Sequence, residues 1–168
     1  MRHLLLLSVL LAASCSQQQP ATKNETVPAA SSLSTAPSPA RTTSADALAA
    51  KRTAEQYFAL IGAKKYAEAR KIWDHDGADS GGDAAALAAS YAVFATYLPT
   101  VGDPTEIKTV GSEQYVAVAV KVKVKEKRSG RTYEREGPVL MRRQMSSNGN
   151  VATAGPWHIW GVDIRRKH

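Results

Sequence analysis

The sequence predicts an α+β domain: three helices packed on one face of a curved antiparallel sheet of four or more strands. Three observations carry this. Apolar residues recur at helical spacing between Leu48 and Leu98. The period then switches to strict alternation from Tyr115 to Lys125. Turn residues separate the remaining strand-like runs, as in a meander.

Taken in order, Ser44 or Asp46 can cap a first helix, with Leu48, Tyr57, Phe58 and Ile61 on or near one face and Gly62 as its stop. Tyr66, Ala69, Ile72 and Trp73 give a short second helix. Asp74 to Gly82 is a polar, Gly-rich loop. Asp83 caps a third helix, whose stripe runs Leu87, Tyr91, Phe94, Leu98 until Pro99 ends it. Ile107 to Val110 is a short strand turned at Gly111-Ser112. In the next strand Val116, Val118, Val120, Val122 and Val124 point one way, and Tyr115, Ala117, Ala119, Lys121, Lys123 and Lys125 the other. Arg128-Ser129-Gly130-Arg131 is a hairpin turn. The returning strand, from about Thr132 to Met145, is interrupted by Gly137-Pro138, which reads as an edge or a bend. Ser146 to Pro156 reads as a loop, Trp157 to Ile164 as the last strand, and Arg165 to His168 as a basic tail.

Residues 1–14 read as a signal peptide: a charged start, an apolar run from Leu4 to Leu11, and a small-residue exit at Ala12-Ala13-Ser14. The run falls short of the ~20 apolar residues that span a bilayer. Cys15 is the sole cysteine, so an exported chain would carry an unpaired thiol. Its setting, Leu11-Ala12-Ala13-Ser14-Cys15, resembles the lipobox of bacterial lipoproteins, although Ala12 stands where that family usually has Leu. The resemblance implies diacylglycerol on the Cys15 thiol and an acyl chain on its amino group, and more than one chain makes anchoring stable. Ser16 after the cysteine resembles the outer-membrane address of two-membrane bacteria. The expected location is therefore the cell envelope, lipid-anchored, at the outer membrane and facing the periplasm.

From residue 15 to 45 the chain is Ser, Thr, Ala, Pro and Gln with almost no large apolar side chain, which reads as a disordered spacer. About thirty such residues reach ~30 Å. Asn24-Glu25-Thr26 matches a glycosylation sequon and reads as chance. Residues 46–168 remain for one domain with a single core. The net charge of the chain is +7. A basic domain beside an anionic membrane is drawn to that surface. Export leaves nucleic acid out as a partner.

The order of elements resembles the nuclear transport factor 2-like superfamily, with its ketosteroid-isomerase-like and polyketide-cyclase-like members. The residues that carry this are Ala54-Glu55-Gln56-Tyr57-Phe58-Ala59-Leu60-Ile61 with Lys65-Tyr66-Ala67-Glu68-Ala69, and the closing Trp157-His158-Ile159-Trp160-Gly161-Val162. The resemblance covers about residues 46 to 165 and implies a cone-like fold. It does not imply one activity, since such folds host unrelated functions.

Tyr57, Trp73, Tyr91, Tyr97, Trp157 and Trp160 can line the mouth of a cone or simply fill a core, because aromatics dominate small cores by area. His158 and Asp163 are the acid/base candidates, but they fall on opposite faces of one strand. The expected pocket is thus Tyr57, Trp73, Tyr91, Tyr97, His158, Trp160 and Asp163. The loop Asp74-His75-Asp76-Gly77-Ala78-Asp79 hints at calcium. Counted from Asp74, however, Gly falls fourth and the twelfth residue is Ala85, against an EF-hand's Gly at six and Glu at twelve. No metal is expected there.

Lys121, Lys123, Lys125, Lys127, Arg128 and Arg131 form a basic hairpin that can touch phosphates of lipid headgroups or lipopolysaccharide, or merely guard an exposed strand. Glu126, Glu134 and Glu136 can neutralise part of it. No Walker loop, G-x-S-x-G motif or zinc spacing is present, so no cofactor and no catalytic residue is expected. Three readings follow. The first is a non-catalytic envelope module that binds a small apolar ligand, an envelope protein or, through the Tyr115, Ala117 and Ala119 face, its own copy as a homodimer. The second is a binder of anionic envelope polymers. The third is a pocket enzyme of isomerase or cyclase type.

Overall fold

Ser44 opens the described chain and acts at once as a helix cap: its Oγ accepts from the Ala47 N–H at 3.2 Å. The computed structural model describes residues 44–148 and 151–166. The expected signal peptide, Cys15, nearly all of the expected spacer and the last two residues of the basic tail lie outside the described residues. So do two residues of the predicted 146–156 loop.

The architecture is α+β with a curled antiparallel sheet, a half-barrel, and helices. Helix α1 spans Ala45–Gly62. It buries Ala47, Ala50 and Ala54, then Tyr57, Phe58 and Ile61, while Leu48 turns to solvent. Small residues at its start bring its backbone close to what it packs on, and large ones fill the space at its far end. Helix α2 is short, Tyr66–Arg70. A 3₁₀ turn, His75–Ser80, replaces the expected loop. Its His75 and Asp76 sit at positive φ, 50° and 53°.

Helix α3, Ala84–Ala92, is capped by Asp83 as expected, its carboxylate accepting from Ala86 N–H at 2.8 Å. It ends earlier than its apolar stripe implied. Phe94 and Leu98 belong to strand β1, Phe94–Pro104, and Pro99 lies inside that strand rather than terminating a helix. The reason is tertiary. Strand β3, Glu113–Glu126, is long, and β1 satisfies one of its edges from Glu126 back to Val118. Leu98 is 57 % exposed, so the helical stripe was a coincidence of spacing. Strand β2, Lys108–Val110, continues the same edge against Glu113, Gln114 and Tyr115.

On its other side β3 pairs with β4, Thr132–Asn148, in unbroken register from Lys125↔Thr132 to Glu113↔Gln144. The Gly137-Pro138 pair therefore lies in a central strand, not at an edge. It marks the gap between two partners of β4: β6, His158–Val162, and β7, Arg165–Arg166. Asp163 and Ile164 cross that gap so closely that only a glycine fits at 137, whose φ is 156°. The predicted loop after Ser146 is a further hairpin. β4 runs on to Asn148 and pairs with β5, Val151–Ala154, with all four β5 residues exposed. Polar composition had hidden this ribbon, since neither of its faces is buried.

The valine row behaves as its alternation predicts. Val116 to Val124 are 0–4 % exposed and form one core with Ala50, Ala54, Tyr57, Phe58, Ile61, Val139, Met141, Trp157 and Ile159. Burying five valines contributes on the order of 1.5–2 kcal/mol each. The opposite row, from Ala119 through Lys125, faces solvent. No helix among the described residues is long and apolar enough to cross a membrane.

Candidate functional site

Four of the expected pocket residues come together, though from unlike elements. Tyr57 lies on α1, Trp73 in the turn after α2, Tyr91 on α3 and Tyr97 on β1. The Tyr57 and Tyr91 hydroxyls are hydrogen-bonded at 3.0 Å. Tyr91 meets Tyr97 edge-on at 4.9 Å, and Tyr57 meets Trp73 edge-on at 6.1 Å. Burial raises all three phenol pKa values, that of Tyr97 to about 12. These hydroxyls are neutral donors at any physiological pH. The Trp73 Nε1 is buried and makes no hydrogen bond; its N–H acts to lower the Tyr57 pKa but does not offset burial.

Tyr57 and Trp73 are core behind the site. Tyr91 and Tyr97 line it. They wall a cavity of about 230 Å³ with Ile61, Gly62, Lys64, Tyr66, Ala92, Phe94, Ala95 and Lys127. Tyr66 stacks on Tyr91 at 6.3 Å, and Phe94 leans on Tyr97 at 5.7 Å. No residue in this wall is acidic. The cavity sits where α1 ends and where the basic hairpin meets the body, since Lys127 N–H donates to Val93 O at 3.0 Å. Tyr66, Phe94 and Lys64 were missed by sequence reasoning. Nothing in the spacing of Lys64 and Lys127 announces that they share a rim.

The other three expected pocket residues lie elsewhere. Asp163 side chain is half exposed and holds Arg165 at 2.5 Å. His158 faces Arg142 across the β4–β6 pair, partly buried, with Nδ1 shielded and without a hydrogen-bond partner. Trp160 is 47 % exposed on the sheet face opposite the valine core, where it meets Tyr115 edge-on at 5.7 Å. With Ala117, Leu140 and Thr105 these rings wall a groove of about 280 Å³. A second hollow of about 370 Å³, lined by Ala117, Ala119, Pro138, Lys121 and Glu136 among others, adjoins it.

The predicted basic residues are where the alternation puts them. Lys121, Lys123 and Lys125 stand exposed on β3, opposite Glu136, Glu134 and Thr132 of β4. Two of the three lysines thus face an acid across the strand. Lys127, Arg128 and Arg131 crowd the turn, where Glu126 accepts from the Ser129 and Tyr133 hydroxyls at 2.6 and 2.7 Å. Those bonds hold its carboxyl below the usual range.

Asp74, His75 and Asp79 bring ligand-type atoms within 4.8 Å of one another. Arg142 already engages two of the three, while Asp79 lies on His75 Nδ1 at 3.2 Å. Arg142 is ion-paired to Asp74, and its Nη2 lies 3.5 Å from His75 Nε2. Burial acts to raise the Asp74 pKa, but Arg142 and the His75 N–H outweigh it and lower it.

The chain enters the domain at the end remote from the cavity. Asp46 pairs with Arg143 at 2.8 Å, its backbone oxygen accepts from Trp157 Nε1 at 3.1 Å, and Arg143 lies over the Trp157 ring at 4.5 Å. Arg143 faces Gln114 at one end of β3, and the hairpin closes the other. Helix α1 joins the two ends, about 24 Å from Asp46 to Gly62. Comparison with protein-family models, with curated proteins and with solved structures returns no match to this chain.

Proposed function

We propose that this chain is a lipid-anchored module of the cell envelope that binds rather than catalyses, with the tyrosine-walled cavity as its ligand site. The observation that carries the reading is the arrangement of that cavity. It gathers rings, neutral phenols and lysine stems, while Asp163 and His158 sit apart from it and from each other. A pocket isomerase or cyclase needs two polar groups converging on one reacting atom. The helices before a curled sheet are also consistent with the cone-like nuclear transport factor 2-like arrangement, whose concave side would hold this cavity.

The anchor reading rests on Cys15 and the run before it. A tether joined at Ser44 attaches beside Asp46, Arg143 and Trp157, and the cavity lies about 24 Å away at the other end of α1. The test has two parts. Mass spectrometry of protein from an exporting bacterium should show acyl chains on Cys15, and C15S should shift the protein to the soluble fraction. Ala95→Trp, which fills the cavity, should abolish whatever small molecule native mass spectrometry finds on the purified chain. An unmodified Cys15 in soluble protein removes the envelope assignment. A co-purifying molecule that survives A95W removes the cavity assignment.

A second reading is favoured by Trp160. A half-exposed indole beside an apolar groove on the outer sheet face is where a protein partner or a second copy would dock. Sedimentation velocity on the full chain and on W160E decides it: loss of a dimer in W160E supports a homodimer, and an unchanged monomer in both refers the face to another envelope protein. The basic hairpin offers a third use, attraction to lipopolysaccharide or lipid headgroups. Gln at Lys123, Lys125, Lys127 and Arg128 should then abolish retention on lipopolysaccharide.

A further inference from the structure

We propose that the cavity between Lys64 and Lys127 takes a small ring-bearing carboxylate, its charge at the lysine rim and its ring against Tyr66, Tyr91, Phe94 and Tyr97. The proposal rests on the cavity being the binding site, and it adds the class of ligand.

Charge comes first. Each of the other described hollows, on the sheet face and beside α1, has a carboxylate in its wall: Glu106, Glu55, or Asp103 with Glu136. This cavity has two lysines in its wall and no acid. Neither Lys64 nor Lys127 has an ion-pair partner among the described residues, unlike Lys65, which is spent on Glu68 at 3.3 Å. Lys125, Arg128 and Arg131 stand on the same hairpin and add to the local field. Glu126, the one acid of that turn, is already engaged by Ser129 and Tyr133.

Size and lining select the rest. A volume of about 230 Å³ equals roughly seven or eight waters at ~30 Å³ each. That admits a six-membered ring with one or two substituents and is too small for a fused tetracycle. Rings of Tyr66, Tyr91, Phe94 and Tyr97 offer faces and edges to another ring, an interaction that inorganic phosphate would leave unused.

The probes are benzoate, its neutral isostere benzamide, and inorganic phosphate, each titrated calorimetrically into the full chain and into K64Q/K127Q. Both lysines are exposed, so an unchanged circular-dichroism melt will certify the variant. Benzoate should bind near 1 mM, as a nine-atom ligand of ordinary efficiency would. Benzamide should be at least about tenfold weaker, and K64Q/K127Q should lower benzoate to the benzamide level. Benzoate affinity should also fall with added salt. Equal binding of benzoate and benzamide, or benzoate binding untouched in K64Q/K127Q, overturns the carboxylate assignment and leaves the cavity as a ligand site. Phosphate binding more tightly than benzoate overturns the ring. Failure of all three probes to bind overturns the carboxylate assignment and counts against the cavity reading beneath it.

Discussion

Replacing Gly137 by Ala tests how the sheet holds its last segment. A Cβ there would lie 1.9 Å from the carbonyl oxygen of Asp163, 2.8 Å from its carbon and 3.1 Å from Ile164 Cα. All are backbone atoms, so no side chain can swing aside. A tolerable C···O contact is about 3.3 Å, and the crossing segment must therefore retreat by roughly 1.4 Å. That retreat breaks the Asp163 N–H to Pro138 O bond, now 3.0 Å, and the Arg135 Nη2 to Ile164 O bond, now 2.5 Å. It also lifts Ile164, only 6 % exposed, from the core. Two hydrogen bonds at ~1 kcal/mol each and most of an isoleucine at ~2 kcal/mol give a loss of about 3–4 kcal/mol. Urea unfolding of G137A against the parent chain reads this as a lower midpoint at unchanged slope. Gly62→Ala is the control, because nothing lies within 4 Å of its added Cβ at the end of α1. It should be neutral or gain up to about 1 kcal/mol. A loss in G137A below about 1 kcal/mol would refute the reasoning, since the crossing would then have room to move.

Other outcomes follow from the same geometry. Tyr57→Phe removes the hydroxyl pair with Tyr91 and should cost about 1 kcal/mol, seen as a melting point lower by roughly 4 °C. Leu98→Lys should change stability by less than about 0.5 kcal/mol, because Leu98 faces solvent from β1. A large loss there would restore the helix that its spacing implied. At the acid end, the Asp74 pKa is lowered from its ordinary 3.8 in the folded state. The stability this gives is present above that value and lost as pH falls through the folded pKa, so D74N should be weaker at neutral pH and show a flatter acid limb in urea titrations. At the alkaline end the Tyr97 pKa is raised to about 12. Its contribution is complete below about pH 10 and lost between roughly 10 and 12, where tyrosinate absorbance should lag in the folded chain.

What could be read from the sequence follows from how many constraints each segment answers to. The valines from 116 to 124 answer to one: a face buried on the core, the other in water. Period two records that directly, and the structure buries all five. Ser44 and Asp83 are legible for a similar reason, since a cap is a local bond between a side chain and an amide a few residues away. Phe94 to Pro104 answers to two constraints. Its apolar residues recur at helical steps, but the unpaired edge of β3 needs a partner, and the hydrogen-bonding groups of that edge outweigh the spacing. The β4–β5 ribbon buries neither face, so it leaves no period at all.

The cavity is harder to read for a further reason. Its wall draws on the end of α1, the start of α2, α3, β1 and the hairpin, and the two lysines at its rim are 63 residues apart. The expected third helix would carry Tyr91 and Tyr97 six residues apart, on different faces. They meet because a strand begins between them, and that break turns the Tyr97 ring onto the Tyr91 edge. Had the third helix run to Pro99 as its stripe implied, β3 would have lost the partner that spans Glu126 to Val118, and the floor of the cavity with it. Edge pairing and cavity formation are one event here. A substitution that weakens β1 as a strand, such as Val101→Gly, should therefore reduce ligand binding at the tyrosines as well as stability, and full binding in a destabilised V101G would show the two to be separable.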